Sequence, residues 1–265
     1  KKGILKRILW KLFNEKRYIE GGLAMKMAIA RSKKQYLECD AYTVLCEGYR
    51  VQTAEAFGID VGASHIYAIE NPEKLVQDLH MDKEKILMFC GRLEQWSKRI
   101  DRLLRIWKKV QDKLPDWKLI IVGDGPDRGM LENMAKSEGL ERAHFVGAQA
   151  DVISFYKKAS IVALTSNTEG WPLALSEAQA NGCIPIAFGC TEGIRELLSP
   201  EDGTCGFLVT PFDEEEYAET LLRIAGMTED EQRQIRTCAV ARRSRYAPER
   251  IAEKWKVLFD RLTNR

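Results

Sequence analysis

The residues best suited to chemistry gather in Thr165–Gly182, TSNTEGWPLALSEAQANG. After Glu169-Gly170-Trp171, Pro172 suits a first helical position and predicts a helix over Pro172–Asn181. The free N–H groups of its first turn, through Leu173, would form an anion seat with the helix dipole behind them. Glu177 falls inside that helix, with Leu173, Ala174 and Ala180 at i−4, i−3 and i+3. A carboxylate on so apolar a face is costly unless hydrogen-bond donors reach it. Two vicinal ribose hydroxyls would serve, and so would a buried lysine or backbone donor. On chemistry alone both readings stand.

A second cluster is Gly91-Arg92-Leu93 with Lys98. Arg92 offers a planar fork for phosphate oxygens and Lys98 a mobile point charge. In a sequence with 41 Lys and Arg, two cations are most often a solvated face, and only their place after a strand raises their interest. The third cluster is Gly123-Asp124-Gly125-Pro126. A dinucleotide fingerprint would need glycine at 128, where Arg128 stands, and Pro126 blocks the turn into a helix. The spacing predicts a sharp loop where backbone approaches a ligand.

These clusters need elements to hold them. From about Lys85, strand-like runs (85–90, 117–122, 144–146, 160–164, 183–188, 206–209) alternate with helical spacing, closed by helices over 214–225, 229–244 and 248–263. That pattern predicts an α/β fold, a Rossmann-like parallel sheet with helices on both faces, whose ligands bind beyond the carboxyl ends of the strands. Each cluster follows such a strand. The first 70 residues differ: a strand at 42–46, a helix and a strand at 65–69 are too little for a core of their own. Residues 1–70 are read as the tail of another α/β domain, or alternatively as an extension packed on the main one. Residues 71–84 are read as a linker, 85–247 as the main domain and 248–265 as a final helix crossing back toward the first domain.

Composition excludes several classes. At 45% hydrophobic residues and a net charge of +2, the chain is an ordinary globular one, and no apolar run approaches the ~20 residues of a membrane span. Seven scattered cysteines without a C-x-x-C pair read as reduced packing thiols of a cytoplasmic protein, and three isolated histidines read as surface or strand-end residues. There is no G-x-x-x-x-G-K-[ST] for phosphoryl transfer and no G-x-S-x-G elbow for a hydrolase. Nor is there an Asp-x-Asp pair to hold a divalent ion on a diphosphate, so no metal or cofactor is expected. The opening KKGILKRILWKLF alternates cations with apolar residues. A helix there could lie on anionic lipid, although packing on another domain is the preferred reading.

Taken in order, Ile69-Glu70-Asn71-Pro72, Gly91-Arg92-Leu93 with Lys98, Gly123-Asp124-Gly125-Pro126, Phe145-Val146-Gly147 and the Glu169/Glu177 pair resemble the motifs of the retaining GT-B glycosyltransferases. That large family contains many bacterial cell-surface sugar transferases. The resemblance runs from about Ile69 to the end and implies the C-terminal, donor-binding half of such an enzyme. It implies that Arg92 and Lys98 hold a diphosphate, that Glu169 lies beside the donor sugar, that Glu177 binds the ribose, and that the backbone near Gly147 lies beside the base. Gly91, Gly123, Gly170, Trp171, Pro172 and Leu173 would complete the nucleotide-sugar site. The implied partners are a nucleotide sugar, UDP-linked by preference, and a saccharide or lipid-linked acceptor, with a peripheral inner-membrane contact and no nucleic acid. Arg99 stands where the family usually has glycine. The alternatives are a nucleotide-sugar epimerase of the same fold and a donor-binding module without activity.

Overall fold

The structure, a computed structural model, describes residues 22–73, 76, 79, 81–198 and 205–264. The cationic opening and His80 lie outside the described residues. The chain divides into two compact units, residues 1–69 with 261–265, and residues 70–260.

In the first unit, helix α1 (Leu23–Glu38) precedes strand β1 (Tyr42–Val44), helix α2 (Glu47–Phe57) and strand β2 (Ile66–Ala68). The strands pair in parallel, Tyr42 opposite Ile66 and Val44 opposite Ala68. A small core of Tyr36, Ala54, Phe57 and Ile66 backs them. His65 stacks on Tyr36 with ring centroids 3.9 Å apart and bonds its carbonyl at 2.9 Å, a packing role.

The second unit carries six strands: β3 (Glu84–Cys90), β4 (Lys118–Val122), β5 (Ala143–Gly147), β6 (Ala159–Leu164), β7 (Ile184–Phe188) and β8 (Phe207–Val209). Every pairing is parallel, and the spatial order is β5-β4-β3-β6-β7-β8. This is the predicted fold class. Strands β6 and β7 are buried at every residue, which is why they read as unbroken apolar runs: helices cover both faces. Helix α3 (Ile100–Val110) buries Ile100, Leu103, Leu104, Trp107 and Val110, the spacing of one helical face. It starts at Ile100, because Arg99 takes a left-handed conformation, and a 3₁₀ turn, Gln111–Lys113, ends it.

Helices α4 (Arg128–Ser137), α5 (Ile153–Lys158) and α6 (Leu173–Ala180) follow. Helix α6 begins one residue later than expected, since Pro172 caps it in extended backbone (ψ 92°). Helix α7 (Glu192–Leu198), too short to announce itself by periodicity, was not expected. Helices α8 (Glu214–Ala225) and α9 (Glu229–Arg243) start at side-chain caps, Asp213 and the Thr228/Glu231 capping box. Helix α10 (Pro248–Thr263) ends the chain.

The described residues of 71–84 are tied into the second unit. Glu73 pairs with the fully buried Arg243 at 2.5 Å. Lys83 donates to the carbonyls of Tyr156 (3.1 Å), Lys157 (3.0 Å) and Asn181 (2.6 Å), closing the carboxyl ends of α5 and α6 with one ammonium. Burial lowers the pKa of that ammonium.

Candidate functional site

In this sheet the chain moves outward from β3 through β4 to β5, then returns to place β6 on the other side of β3. The point of reversal lies between the loops that follow β3 and β6, the place where open parallel sheets bind ligands. Arg92 and Lys98 stand on the first of these loops and Glu169 on the second.

Direct bonds stitch the two loops together. The Asn167 backbone N–H donates to the Ser97 carbonyl at 2.7 Å, and its side-chain amide to the Trp96 carbonyl at 2.7 Å. Thr165 donates to the Arg99 carbonyl at 3.0 Å, and Arg102 reaches the Thr165 carbonyl at 3.3 Å. Across the seam Lys98 Nζ bonds Glu169 Oε1 at 2.7 Å, and Ser166 Oγ donates to the same oxygen at 2.6 Å. The Glu169 side chain is only 9% exposed, whereas Lys98 keeps 28%. Arg92 is exposed, and its guanidinium makes no ion pair or hydrogen bond with another described residue.

The loop after β4 is packed under the loop after β3. Gly91 N–H donates to the Val122 carbonyl at 3.0 Å, Leu93 N–H to the Asp124 carbonyl at 2.9 Å, and Asp127 Oδ2 accepts from Gln95 N–H at 2.6 Å. A Cβ at Gly123 would lie 1.9 Å from the Gly91 carbonyl oxygen, and one at Gly125 2.4 Å from that of Leu93. Gly123 also has φ 135°, open to glycine. The close approach expected of this loop is therefore to neighbouring backbone. Gly123 N–H in turn donates to the Gly147 carbonyl at 2.8 Å, so the turns after β3, β4 and β5 form one laced rim.

Arg99, in the family's glycine position, holds φ 49° and ψ 50°. The departure in residue type thus keeps a glycine-like backbone, at a steric cost of about 1–2 kcal/mol. Two bonds of 2.9 Å from its guanidinium to Asp101 offset that cost. Asp101 also accepts from Arg105 at 2.8 Å, and Arg105 clasps Glu214 of α8 at 2.6 Å. Burial pushes the Asp101 pKa up, but the bonds from Arg99 and Arg105 outweigh it and hold the carboxyl below its ordinary range.

Helix α6 supplies the rest. No side chain caps its start and no acidic residue stands in its first turn, leaving those N–H groups to other partners. Gly170 is exposed; Trp171 is buried with its ring edge-on to Tyr246, centroids 5.2 Å apart, so its indole packs inward. One helical face, Leu173, Glu177 and Ala180, lines a cavity of about 310 Å³ shared with Ile153, Pro72 and Glu73. Glu177 is half-buried there, and it forms no ion pair with a lysine among the described residues.

Sequence reasoning did not single out Ser166, Asn167, Asp127 or Arg102, which position the loops. The bonds of Asp127, Arg102 and Asn167 reach across 32 to 71 residues, and no local pattern signals such pairs; Ser166 bonds Glu169 three residues on. Among the described residues no group of three or more His, Cys, Asp or Glu could hold a metal ion, and no helix is long and apolar enough to cross a membrane.

Residues 71–238 match the family described as glycosyl transferases group 1. An uncharacterized glycosyltransferase of Haemophilus influenzae is 33% identical over 186 residues, 68% of this chain and 51% of that protein. The amylovoran biosynthesis glycosyltransferase AmsD of Erwinia amylovora is 30% identical over 192 residues, 72% and 52% of the two chains. The chain therefore spans about half the length of these curated relatives. Among solved structures, TarM superposes with a TM-score of 0.75 at 22% identity, over 86% of this chain and 45% of that one. Anabaena HepE, solved with UDP and glucose, gives 0.73 at 20% identity, over 89% and 67%. These neighbours are GT-B glycosyltransferases and share the fold. With more than half of its length inside the matched region, and with the sheet order and loop set just described, the chain belongs to the group 1 glycosyl transferases.

Proposed function

We propose that this chain is the donor-binding part of a retaining transferase that moves a hexosyl group from a nucleoside diphosphate sugar, UDP-linked by preference, to a saccharide or lipid-linked acceptor in cell-surface polysaccharide synthesis. The observation that carries the reading is the Lys98–Glu169 bond, which joins the loops after β3 and β6 at the reversal point of the sheet, with Arg92 exposed on the same loop as Lys98 and a helix start without a side-chain cap following Glu169 in the chain. Printed names of relatives point the same way: a lipopolysaccharide 1,6-galactosyltransferase of Salmonella typhimurium and an undecaprenol-linked N-acetylgalactosaminyltransferase of Campylobacter jejuni. UDP is the nucleotide named with TarM, GtfA and HepE.

In this mechanism the bond from the anomeric carbon to the diphosphate oxygen breaks as the sugar gains oxocarbenium character. The acceptor hydroxyl attacks on the same face and its proton leaves with the departing diphosphate. Negative charge grows on the leaving group, so catalysis rests on fixed positive charge and N–H donors at that place. Arg92 presents its fork from the β3 loop. Lys98 has three ammonium protons, of which Glu169 takes one, leaving two for phosphate oxygens. Glu169 thus sets the height of the ammonium, and the first turn of α6 faces the remaining oxygens. No metal is needed in this scheme. Glu177, half-buried in a cavity lined also by Leu173, Ile153 and Glu73 and free of lysine, accepts from the two vicinal ribose hydroxyls, and the rim at Gly147 faces the base. The enzyme works in the cytoplasm, peripheral to the membrane face where its acceptor is lipid-linked.

Calorimetric titration of the chain with UDP and GDP tests the donor site directly: saturable binding of UDP is expected, and binding of neither nucleotide would reject the reading. With the full-length gene product, transfer from an α-linked donor should give an α-linked product. Isomerisation of the UDP-sugar without any acceptor would instead identify an epimerase.

A further inference from the structure

Two of the seven cysteines meet in the fold. The Cys205 and Cys238 sulfurs lie 2.8 Å apart, although 33 residues separate them in the chain. Other thiols donate to main-chain carbonyls: Cys39 to Tyr36 at 3.5 Å, Cys183 to Tyr156 at 3.1 Å and Cys190 to Ser166 at 3.5 Å. Those three fit the packing role expected from the sequence. A sulfur facing a sulfur has a chemistry of its own.

Both partners stand on fastened backbone. Cys205 precedes Gly206 and β8, and its carbonyl accepts from Gln179 Nε2 of α6 at 3.1 Å. A Cβ at Gly206 would lie 2.7 Å from side-chain atoms of Leu198 and Pro185, so the chain there presses on α7 and β7. Cys238 sits inside α9, and the next turn of that helix is bonded to both neighbours: Arg242 donates to the Glu196 carbonyl of α7 at 2.8 Å, and Arg243 to Gln179 Oε1 at 3.4 Å. Packing of α6, α7 and α9 around the start of β8 therefore brings the sulfurs together. Small side-chain rotations separate this contact from a bond of about 2.05 Å. Cys205 has no exposed surface, whereas Cys238 is half-buried. Burial raises the Cys205 pKa to about 11, so that sulfur holds its proton at neutral pH and a reagent meets Cys238 first.

We propose that Cys205 and Cys238 form a redox-sensitive dithiol, which a small-molecule disulfide of the glutathione type converts reversibly to a protein disulfide. The Cys238 thiolate attacks one sulfur of the reagent; its S–S bond breaks, and the other half leaves as a thiolate with the bonding pair. Cys205 then gives up its proton, its sulfur attacks Cys238 Sγ, and the second small thiolate leaves. The two protein thiols are oxidised, one small disulfide is reduced to two thiols, and the two protons pass through water to those thiols. An excess of the reduced thiol runs both steps backward. In a reducing compartment such bonds are transient and sensing, not structural. The new bond ties α9 to the segment leading into β8, and the proposal stands apart from the donor-site reading.

Incubation of the chain with glutathione disulfide, then alkylation of the remaining thiols, intact-mass measurement, peptide mapping and thermal melting test it. The expected product has lost two hydrogens, carries a Cys205–Cys238 crosslink and melts about 10 °C higher, all reversed by dithiothreitol. Cys205→Ala should stop the reaction at a glutathione adduct on Cys238, and Cys238→Ala should leave Cys205 unmodified. Four results would overturn the proposal: a crosslink between other cysteines, a lasting adduct on wild-type Cys238, no reaction under excess disulfide, or a crosslinked chain whose melting is unchanged or lowered. All four are read on the wild type, so a variant that fails to fold leaves the test intact.

Discussion

At the scale of single residues, two substitutions separate chemistry from scaffolding. Arg92 is exposed and unbonded to the described protein, so its replacement should leave the fold intact. Removing one donor from a developing anion costs about 2.7–4 kcal/mol of barrier. Arg92→Ala should therefore lower turnover of the complete enzyme about a hundredfold, with an unchanged unfolding midpoint; steady-state kinetics and thermal melting check both halves. Gly123 is the opposite case. A Cβ there would meet the Gly91 carbonyl at 1.9 Å, from a backbone at φ 135°. Gly123→Ala should destabilise by about 2–3 kcal/mol in urea titration. Gly129, which meets nothing within 4 Å and lies in helix α4, is the control: its change to alanine should stabilise by about 0.5–1 kcal/mol. The sequence places Gly123 in a sharp loop, and the backbone of the neighbouring loop supplies the close contact that Gly129 lacks.

At the scale of elements, α3 is joined to the site by its first turn and to α8 by charge. Arg99, Asp101, Arg105 and Glu214 form one chain of ion pairs from the left-handed start of α3 to the start of α8. The Asp101 carboxyl is held below its ordinary range in the folded state. Its contribution to stability is thus complete above the unfolded value of about 3.9 and disappears as pH falls through the lower folded value. Asp101→Asn should cost about 1–2 kcal/mol at pH 7, a figure reduced because Arg105 is 39% exposed. Urea titrations of the two proteins at a series of pH values should converge below about pH 3.9. The strands and the helical face of α3 were legible from apolar spacing, because a sheet covered on both faces and an amphipathic helix impose their periods locally. The ion chain was not, since Arg105 and Glu214 are separated by 109 residues.

At the scale of the molecule, the second unit is closed by a carboxylate and a guanidinium 170 residues apart, Glu73 and Arg243. Arg243 is fully buried and the Glu73 side chain 9% exposed, so neither charge can be left alone. Arg243→Met or Glu73→Leu singly should destabilise by about 3–5 kcal/mol, whereas the double variant should recover most of the loss, because two apolar side chains can fill the same space without desolvated charge. A double-mutant cycle in urea measures the recovery; full additivity would contradict the pairing. This bond ties the described part of the segment read as a linker to α9 near the end of the unit, and those of Lys83 tie it to the carboxyl ends of α5 and α6 in the middle.

The sequence by itself determined the class of fold, the order of strands and, α7 apart, of helices from Lys85 onward, and which loops stand at strand ends, because apolar period and breaker residues act over a few positions. It also brought Arg92, Lys98, Glu169 and Glu177 forward as candidates. Tertiary structure alone decided what meets at the site: Lys98 on Glu169, the Gly123 backbone against Gly91, and the Trp171 ring against Tyr246. Such encounters depend on how a twisted sheet folds back at its point of reversal and brings distant loops within bonding distance. No short-range pattern in the chain encodes that distance.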